Sequence, residues 1–119
     1  MRISHQIINE QLIRVFTVYG ASKSDAELVS GYLVDSDLVG HSSHGVARAP
    51  LYLERIKKGD LVTNAEIKIL NETQSTAVID GNWGFGQPAA KLAIETCIEK
   101  AKKNNLACVT LKKANHIGR

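Results

Sequence analysis

The chain has 119 residues, enough for one modest core, and its 44% hydrophobic and 23% charged residues exclude disorder and collagen-like repeats. The net charge of +3 comes from 15 basic and 12 acidic residues that form no single stripe, and aromatics are only 5%, so no nucleic-acid partner is expected. No apolar run approaches the roughly 20 residues of a membrane span, no secretory signal opens the chain, and Cys97 and Cys108 are too few for a disulfide framework; a reduced, cytoplasmic setting with no membrane partner is expected.

Ser4 can cap a first helix, in which Ile7, Ile8, Leu12, Val15, Phe16 and Tyr19 recur at helical spacing until Gly20 stops it. Ser24-Asp25-Ala26-Glu27 reads as a capping box with Ser24 as the N-cap. The second helix that follows is expected to bury Leu28, Val29, Leu33 and either Leu38 or Val39, and to end at Gly40. The polar stretch His41-Ser42-Ser43-His44-Gly45 leads to a third helix with Pro50 in its first turn, where a missing N–H costs nothing. Leu51, Ile56 and the stem of Arg55 carry that helix to Gly59. Lys57-Lys58 and Lys102-Lys103 fall near predicted helix ends, where cations oppose the negative end of the helix dipole.

From Ile67 the period changes. Residues 67–70 and 76–79 read as short strands separated by the polar Asn71-Glu72-Thr73-Gln74. A glycine-rich loop, Gly81 to Gln87, follows Asp80, and Pro88 suits the first position of a helix that carries Leu92, Ala93, Thr96, Cys97 and Ala101 on one face. Asn104-Asn105 ends it. Leu106 to Leu111 is a continuous apolar run that reads as a fully buried strand. The plan is an α/β fold: three helices, then strand, strand, helix, strand. The last three elements fit a crossover unit, although parallel pairing is not legible in a sequence. With only eight residues after the last strand, the chain reads as one that stops in mid-domain.

The densest chemical constellation is Asp35 to Gly45. Histidine exchanges protons near neutral pH, its unperturbed pKa being about 6.5, and a serine beside it can orient the ring or donate to a substrate oxygen. The alternative is that Ser43 caps the third helix and His44 is an exposed loop residue. A zinc site from Asp37, His41 and His44 matches no established helical ligand spacing, and no metal is assigned. Arg48, one turn beyond His44 along the third helix, can present a bidentate guanidinium to a carboxylate; otherwise it is a surface arginine.

The segment from Asp80 to Gly86 stands between strand and helix, the right context for phosphate. Its glycines fall at positions one, four and six rather than the one, three and six of the dinucleotide fingerprint, and no P-loop lysine follows. A tight turn that packs Trp83 and Phe85 is the better reading. Asn115-His116-Ile117-Gly118 lies just after the carboxyl end of the last strand, where open α/β sheets place ligands, so His116 is a candidate acid or base, or else a frayed terminal residue.

Taken together, residues 35–48, Tyr52 to Gly59, Asp80 to Gln87 and Asn115 to Gly118 resemble the N-terminal part of the malate/L-lactate dehydrogenase family. That family is unrelated to the Rossmann-fold lactate and malate dehydrogenases and includes ureidoglycolate and sulfolactate dehydrogenases and cyclic imine reductases. The resemblance implies a non-Rossmann α/β fold, with residues 1–66 in a helical domain completed by a C-terminal part and residues 67–119 opening a cofactor-binding domain. Members are much longer, which implies an N-terminal fragment that is inactive alone.

Residue by residue, Ser43 and His44 match the family's catalytic serine and histidine. Arg48 matches the arginine that holds the substrate carboxylate, and His116 the histidine assigned as proton acceptor in some members. Asn115, His116 and Gly118 would stand beside the cofactor, NAD or NADP. The implied substrate is a small 2-hydroxy acid of the malate or lactate type, and the full-length form a homodimer. The competing reading is a non-catalytic helical module that binds an anionic partner, its histidines incidental.

Overall fold

Helix α1 (His5–Val18) begins where Ser4, in extended backbone, accepts the Gln6 N–H at 3.3 Å on its hydroxyl oxygen. One of the first-turn N–H groups, which have no partner inside the helix, is thereby satisfied. The structure, a computed structural model, describes residues 2–119. It divides into two compact units: residues up to Asn64 together with Gly118–Arg119, and Ala65–Ile117.

In the first unit α1 packs on α2 (Lys23–Leu38). The N-cap of α2 is Ser22, not Ser24: the Ser22 hydroxyl accepts the Asp25 N–H at 3.1 Å, and the Ser22 carbonyl takes the Ala26 N–H at 2.9 Å. Both serines have the right chemistry. The turn at Gly20 (φ +96°), followed by the buried Ala21, starts the helix two residues early, so Ser24 becomes helical and Glu27 reaches Lys23 at 3.8 Å instead of closing a capping box.

The core of this unit gathers Leu12, Phe16, Val29, Leu33, Val34, Tyr52 and Leu61. Leu38 and Val39, one of which the spacing assigns to the core, are 60% and 54% exposed, because α2 ends there. Helix α3 (Ala49–Lys58) carries Pro50 in its first turn and closes at Gly59, whose φ of +80° is the left-handed region that favours glycine. Tyr52 is its buried anchor, 6.2 Å from the Phe16 ring, while Leu51 stays exposed.

The second unit is a three-stranded sheet in the order β1–β2–β3, formed by β1 (Lys68–Glu72), β2 (Thr76–Gly84) and β3 (Cys108–Ala114). β2 pairs antiparallel with β1 and parallel with β3, and the crossover helix α4 (Gly86–Asn104) packs on β2 and β3. At the far end of α4, Lys100 reaches the Thr73 carbonyl at 2.6 Å and Glu72 at 2.9 Å, and the Asn104 amide donates to the Gln74 carbonyl at 2.7 Å. These contacts tie the β1–β2 turn to the helix.

Four expectations are corrected here. β2 runs to Gly84, so the glycine-rich residues 81–84 belong to a strand and not to a loop. Trp83 is 54% exposed while Phe85 is buried, so the two aromatics do not pack together in a turn. β3 spans Cys108–Ala114, each of its residues is exposed or half-buried, and Leu106 is 76% exposed. The apolar run reads as an interior strand, but among the described residues β3 has one strand neighbour, with α4 packed against it. Pro88 is the third residue of α4 rather than the first, which the first turn tolerates because its N–H groups need no carbonyl inside the helix.

Ser22→Ala is expected to destabilise the protein by about 1 kcal/mol and Ser24→Ala by clearly less. Urea denaturation of the two variants checks this, and the opposite ranking would return the cap to Ser24.

Candidate functional site

After Gly40 (φ +85°) the chain makes two successive 3-10 turns, Ser42–His44 and Val46–Arg48, hinged at Gly45. The first is closed by His44 N–H to the His41 carbonyl at 2.9 Å and Gly45 N–H to Ser42 at 3.1 Å. The second is closed by Arg48 N–H to the Gly45 carbonyl at 2.9 Å. Two short turns replace one longer helical start because Gly45, at φ −91° and ψ −155°, is extended and breaks the run.

Within this segment the Ser43 hydroxyl lies 2.9 Å from His44 Nδ1. If the hydroxyl donates, Nδ1 accepts and Nε2 carries the ring proton; if Nδ1–H donates to the hydroxyl oxygen, Nε2 is the basic nitrogen. Arg48 Nε donates to the Ser43 carbonyl at 2.6 Å, which folds the guanidinium back over the first turn. A carboxylate gripped by Arg48 would then take the two terminal nitrogens. His44 and Arg48 are half-buried and Ser43 is exposed, and the His41 ring stands 6.4 Å from that of His44.

The expected geometry differs in two respects. Arg48 lies in the second 3-10 turn, at the threshold of α3 and not one turn along it, and no side-chain cap is made at the start of α3 by Ser43 or by Arg48. Asp37, considered above only as a metal ligand, instead accepts the Val46 N–H at 2.8 Å. Among the described residues no group of three His, Cys, Asp or Glu side chains is placed to hold a metal ion.

The second candidate place is the carboxyl end of β2 and β3. Asp80 stands opposite Lys112 and Gly84 opposite Ala114, so three residues of β2 face the single Lys113. The excess is absorbed by left-handed backbone at Asn82 (φ +48°), Trp83 (φ +59°) and Lys113 (φ +50°), a conformation that costs a side chain energy unless its surroundings hold it. Two side chains hold it here. The Asp80 carboxylate accepts the Asn82 N–H at 2.8 Å, and the Asn115 amide donates to the carbonyls of Trp83 at 2.8 Å and Gly84 at 3.2 Å.

That Asn82 N–H, and then the ammonium groups of Lys113 and Lys112 at 3.6 and 3.8 Å, hold the Asp80 carboxyl below the usual carboxylate range. At the start of α4, a Cβ on Gly86 would run into the carbonyls of Asn115 and His116. The backbone of residues 115–116 thus lies close against the start of α4 at Gly86.

The structure therefore brings Ser43, His44 and Arg48 together in the first unit. Asn115 and His116 follow β3 in the second unit, His116 half-buried, while Gly118 (φ +103°) falls with the first. Asp37 as a partner of the turn carries little signal in the sequence beyond an acidic residue eight positions before a glycine that has no capping side chain. The structural work of the Asn115 amide carries no local signal, because it depends on a contact across more than thirty positions.

The sequence profile of the malate/L-lactate dehydrogenase family matches residues 3–119, and the chain belongs to that family. It is 40% identical over 107 residues to the L-sulfolactate dehydrogenase of Methanocaldococcus jannaschii, covering 90% of this chain and 31% of that protein. It is 37% identical over 118 residues to the malate/(S)-sulfolactate dehydrogenase of Methanothermus fervidus, covering 99% of this chain and 35% of that protein. The solved structure of the sulfolactate dehydrogenase from Methanocaldococcus jannaschii superposes on 99% of this chain and 34% of its own, with a TM-score of 0.95 at 37% identity. The chain spans about a third of the length of these relatives. The architecture is accordingly the mixed α/β fold found in these dehydrogenases, and no described helix is long and apolar enough to cross a membrane.

Because the folded state holds Asp80 ionised more strongly than the unfolded chain does, its stabilisation is full above the unperturbed pKa of 3.8. It is lost as pH falls through the lowered folded value. Asp80→Asn is expected to lower the melting temperature at neutral pH and to converge with the parent in acid. Thermal denaturation across that range measures it, and a gap that stays constant with pH would remove the electrostatic account.

Proposed function

We propose that these residues form the substrate-binding and proton-transfer part of an NAD(P)-dependent dehydrogenase of small 2-hydroxy acids. The observation that carries the reading is the turn on which Ser43 lies 2.9 Å from His44 Nδ1 while its carbonyl anchors Arg48 Nε at 2.6 Å. A proton acceptor and a carboxylate-binding cation thus share one rigid segment. The similarity to enzymes named for malate and sulfolactate supports a substrate with a carboxylate beside a secondary hydroxyl.

In this reading the terminal nitrogens of Arg48 grip the carboxylate as a fork. Ser43 fixes the ring of His44 through Nδ1, and Nε2 takes the hydroxyl proton as C2 is oxidised. An aliphatic hydroxyl is a far weaker acid than imidazolium, so an acceptor already in place matters; a positioned general base typically gives about 10²–10⁴-fold. A bound nicotinamide supplies the two-electron acceptor for the hydride that leaves C2.

His116 is the second candidate for the proton and otherwise faces the cofactor. The residues after β3 fit such a group in their chemistry: a half-buried imidazole and a glycine of positive φ follow the carboxyl end of a parallel strand pair, the edge at which α/β sheets bind ligands. Asn115 gives its amide donors to Trp83 and Gly84, so its part is to hold the backbone of that segment. The reading extends to a cytoplasmic setting, to a homodimer of the full-length polypeptide, and to residues 1–119 showing no turnover alone.

Two predictions follow for the full-length polypeptide. Arg48→Lys should cost about 1.5–3 kcal/mol in kcat/KM for the hydroxy acid, since an ammonium cannot reproduce the two-bond grip; unchanged steady-state kinetics would make Arg48 a surface residue. His44→Ala should abolish the limb of the kcat pH profile near the histidine pKa, while His116→Ala should change KM and leave that limb in place. The reverse pattern exchanges the two roles, and retention of the limb in both variants removes histidine from the proton step.

A further inference from the structure

The hinge between the two 3-10 turns is held by a residue outside both. Gly45 occupies the position before the second turn, where Ser, Thr, Asp or Asn would normally supply an oxygen to the first N–H groups, and it has no side chain to do so. Asp37, from the last turn of α2 and nine positions upstream, supplies that oxygen by accepting the Val46 N–H at 2.8 Å. The same carboxylate lies directly over Gly45, where a Cβ would overlap its oxygens and its Cγ, and Gly45 is itself buried. Glycine and aspartate are thus one device, each position requiring the other.

We infer that Asp37 is a positioning residue of the site, fixing the turn that carries Arg48 relative to the turn that carries Ser43 and His44. His44 ends the first turn and Arg48 ends the second, with only Gly45, Val46 and Ala47 between them. The backbone at Gly45 has no Cβ to limit it, and the Arg48 Nε bond to the Ser43 carbonyl restrains the angle between the turns only through a side chain, so a tie on the backbone itself adds to it. Asp37 supplies the tie from a long helix packed into the core of the unit. A proton acceptor and a carboxylate grip must hold their separation for one substrate to reach both, and misplacement by about 1 Å can cost on the order of 10²-fold in rate. The inference rests on the dehydrogenase reading of His44 and Arg48 and adds to it the residue that sets their mutual geometry.

The test uses the full-length polypeptide and compares the parent with Asp37→Ala, Asp37→Asn, Gly45→Ala and the Asp37→Ala/Gly45→Ala double variant. With an unchanged far-UV circular dichroism spectrum, Asp37→Ala is expected to speed amide exchange at Val46 and to lower kcat/KM for the hydroxy acid by about 10- to 100-fold. The histidine limb of the pH profile should remain. Asp37→Asn keeps an acceptor oxygen and should recover most of both losses. Gly45→Ala should be damaging alone yet add little to Asp37→Ala, because the atoms its Cβ would strike are gone.

Unchanged Val46 exchange in Asp37→Ala overturns the inference. So do kinetic constants for that variant within about twofold of the parent when His44→Ala and Arg48→Lys impair the enzyme, and in that case the dehydrogenase reading stands. If His44→Ala and Arg48→Lys are themselves silent, the dehydrogenase reading fails and the inference falls with it.

Discussion

The close approach of the Asp37 carboxylate to Gly45 is the constraint on which the Ser43–His44–Arg48 segment depends. The ten residues between α2 and α3, 39–48, are too few to bury an apolar core of their own, and Ser42 and Ser43 are exposed. What gives the segment a definite shape is a set of short-range hydrogen bonds, together with the Asp37 side chain that reaches from α2 to the second turn. An exposed hydrogen bond contributes only about 0.5–1.5 kcal/mol to stability. Its value here is directional: the carboxylate satisfies an N–H that a glycine cannot cap and settles how one short turn follows the next.

The second unit solves a similar problem by other means. β2 is the strand common to both pairings, and it must hand over from a regular parallel ladder to the first turn of α4 within a few residues. The handover is a bulge of left-handed backbone, held on one side by the Asp80 carboxylate and on the other by the Asn115 amide. The Asn82 N–H first, and then Lys113 and Lys112, hold the carboxyl below the usual carboxylate range, so its acceptor role is secure at neutral pH. Gly81 and Gly86 permit the backbones of β3 and residues 115–116 to lie close against β2 and α4. The glycines of this stretch therefore serve packing of chain on chain, which is why their spacing departs from that of a phosphate-binding fingerprint.

Several features of the sequence were ambiguous for identifiable reasons. Ser22 and Ser24 have identical chemistry, and only the turn at Gly20 and burial of Ala21 decided which begins α2. The run Leu106–Leu111 has the composition of an interior strand, yet among the described residues β3 pairs with β2 alone and leaves Leu106 outside it. Composition reports what a strand can tolerate, whereas burial depends on neighbours that composition does not name. The segment 81–84 looked like a loop because glycine and asparagine are turn residues; a bulged strand uses the same residues for the same reason, their tolerance of left-handed backbone.

The sequence by itself determined the α/β class, the order of the elements, the stops at Gly40 and Gly59, and the grouping of Ser43, His44 and Arg48. All of these follow from periodicity, local caps and short separations, which are properties of neighbouring residues. Only the tertiary structure decided the parallel pairing of β2 with β3, the use of the Asn115 amide against Trp83 and Gly84, and the carboxylate of Asp37 over Gly45. Each of these joins groups whose meeting is set by how helices and strands pack, and a hydrogen bond or steric contact between separated residues leaves no periodic trace along the chain.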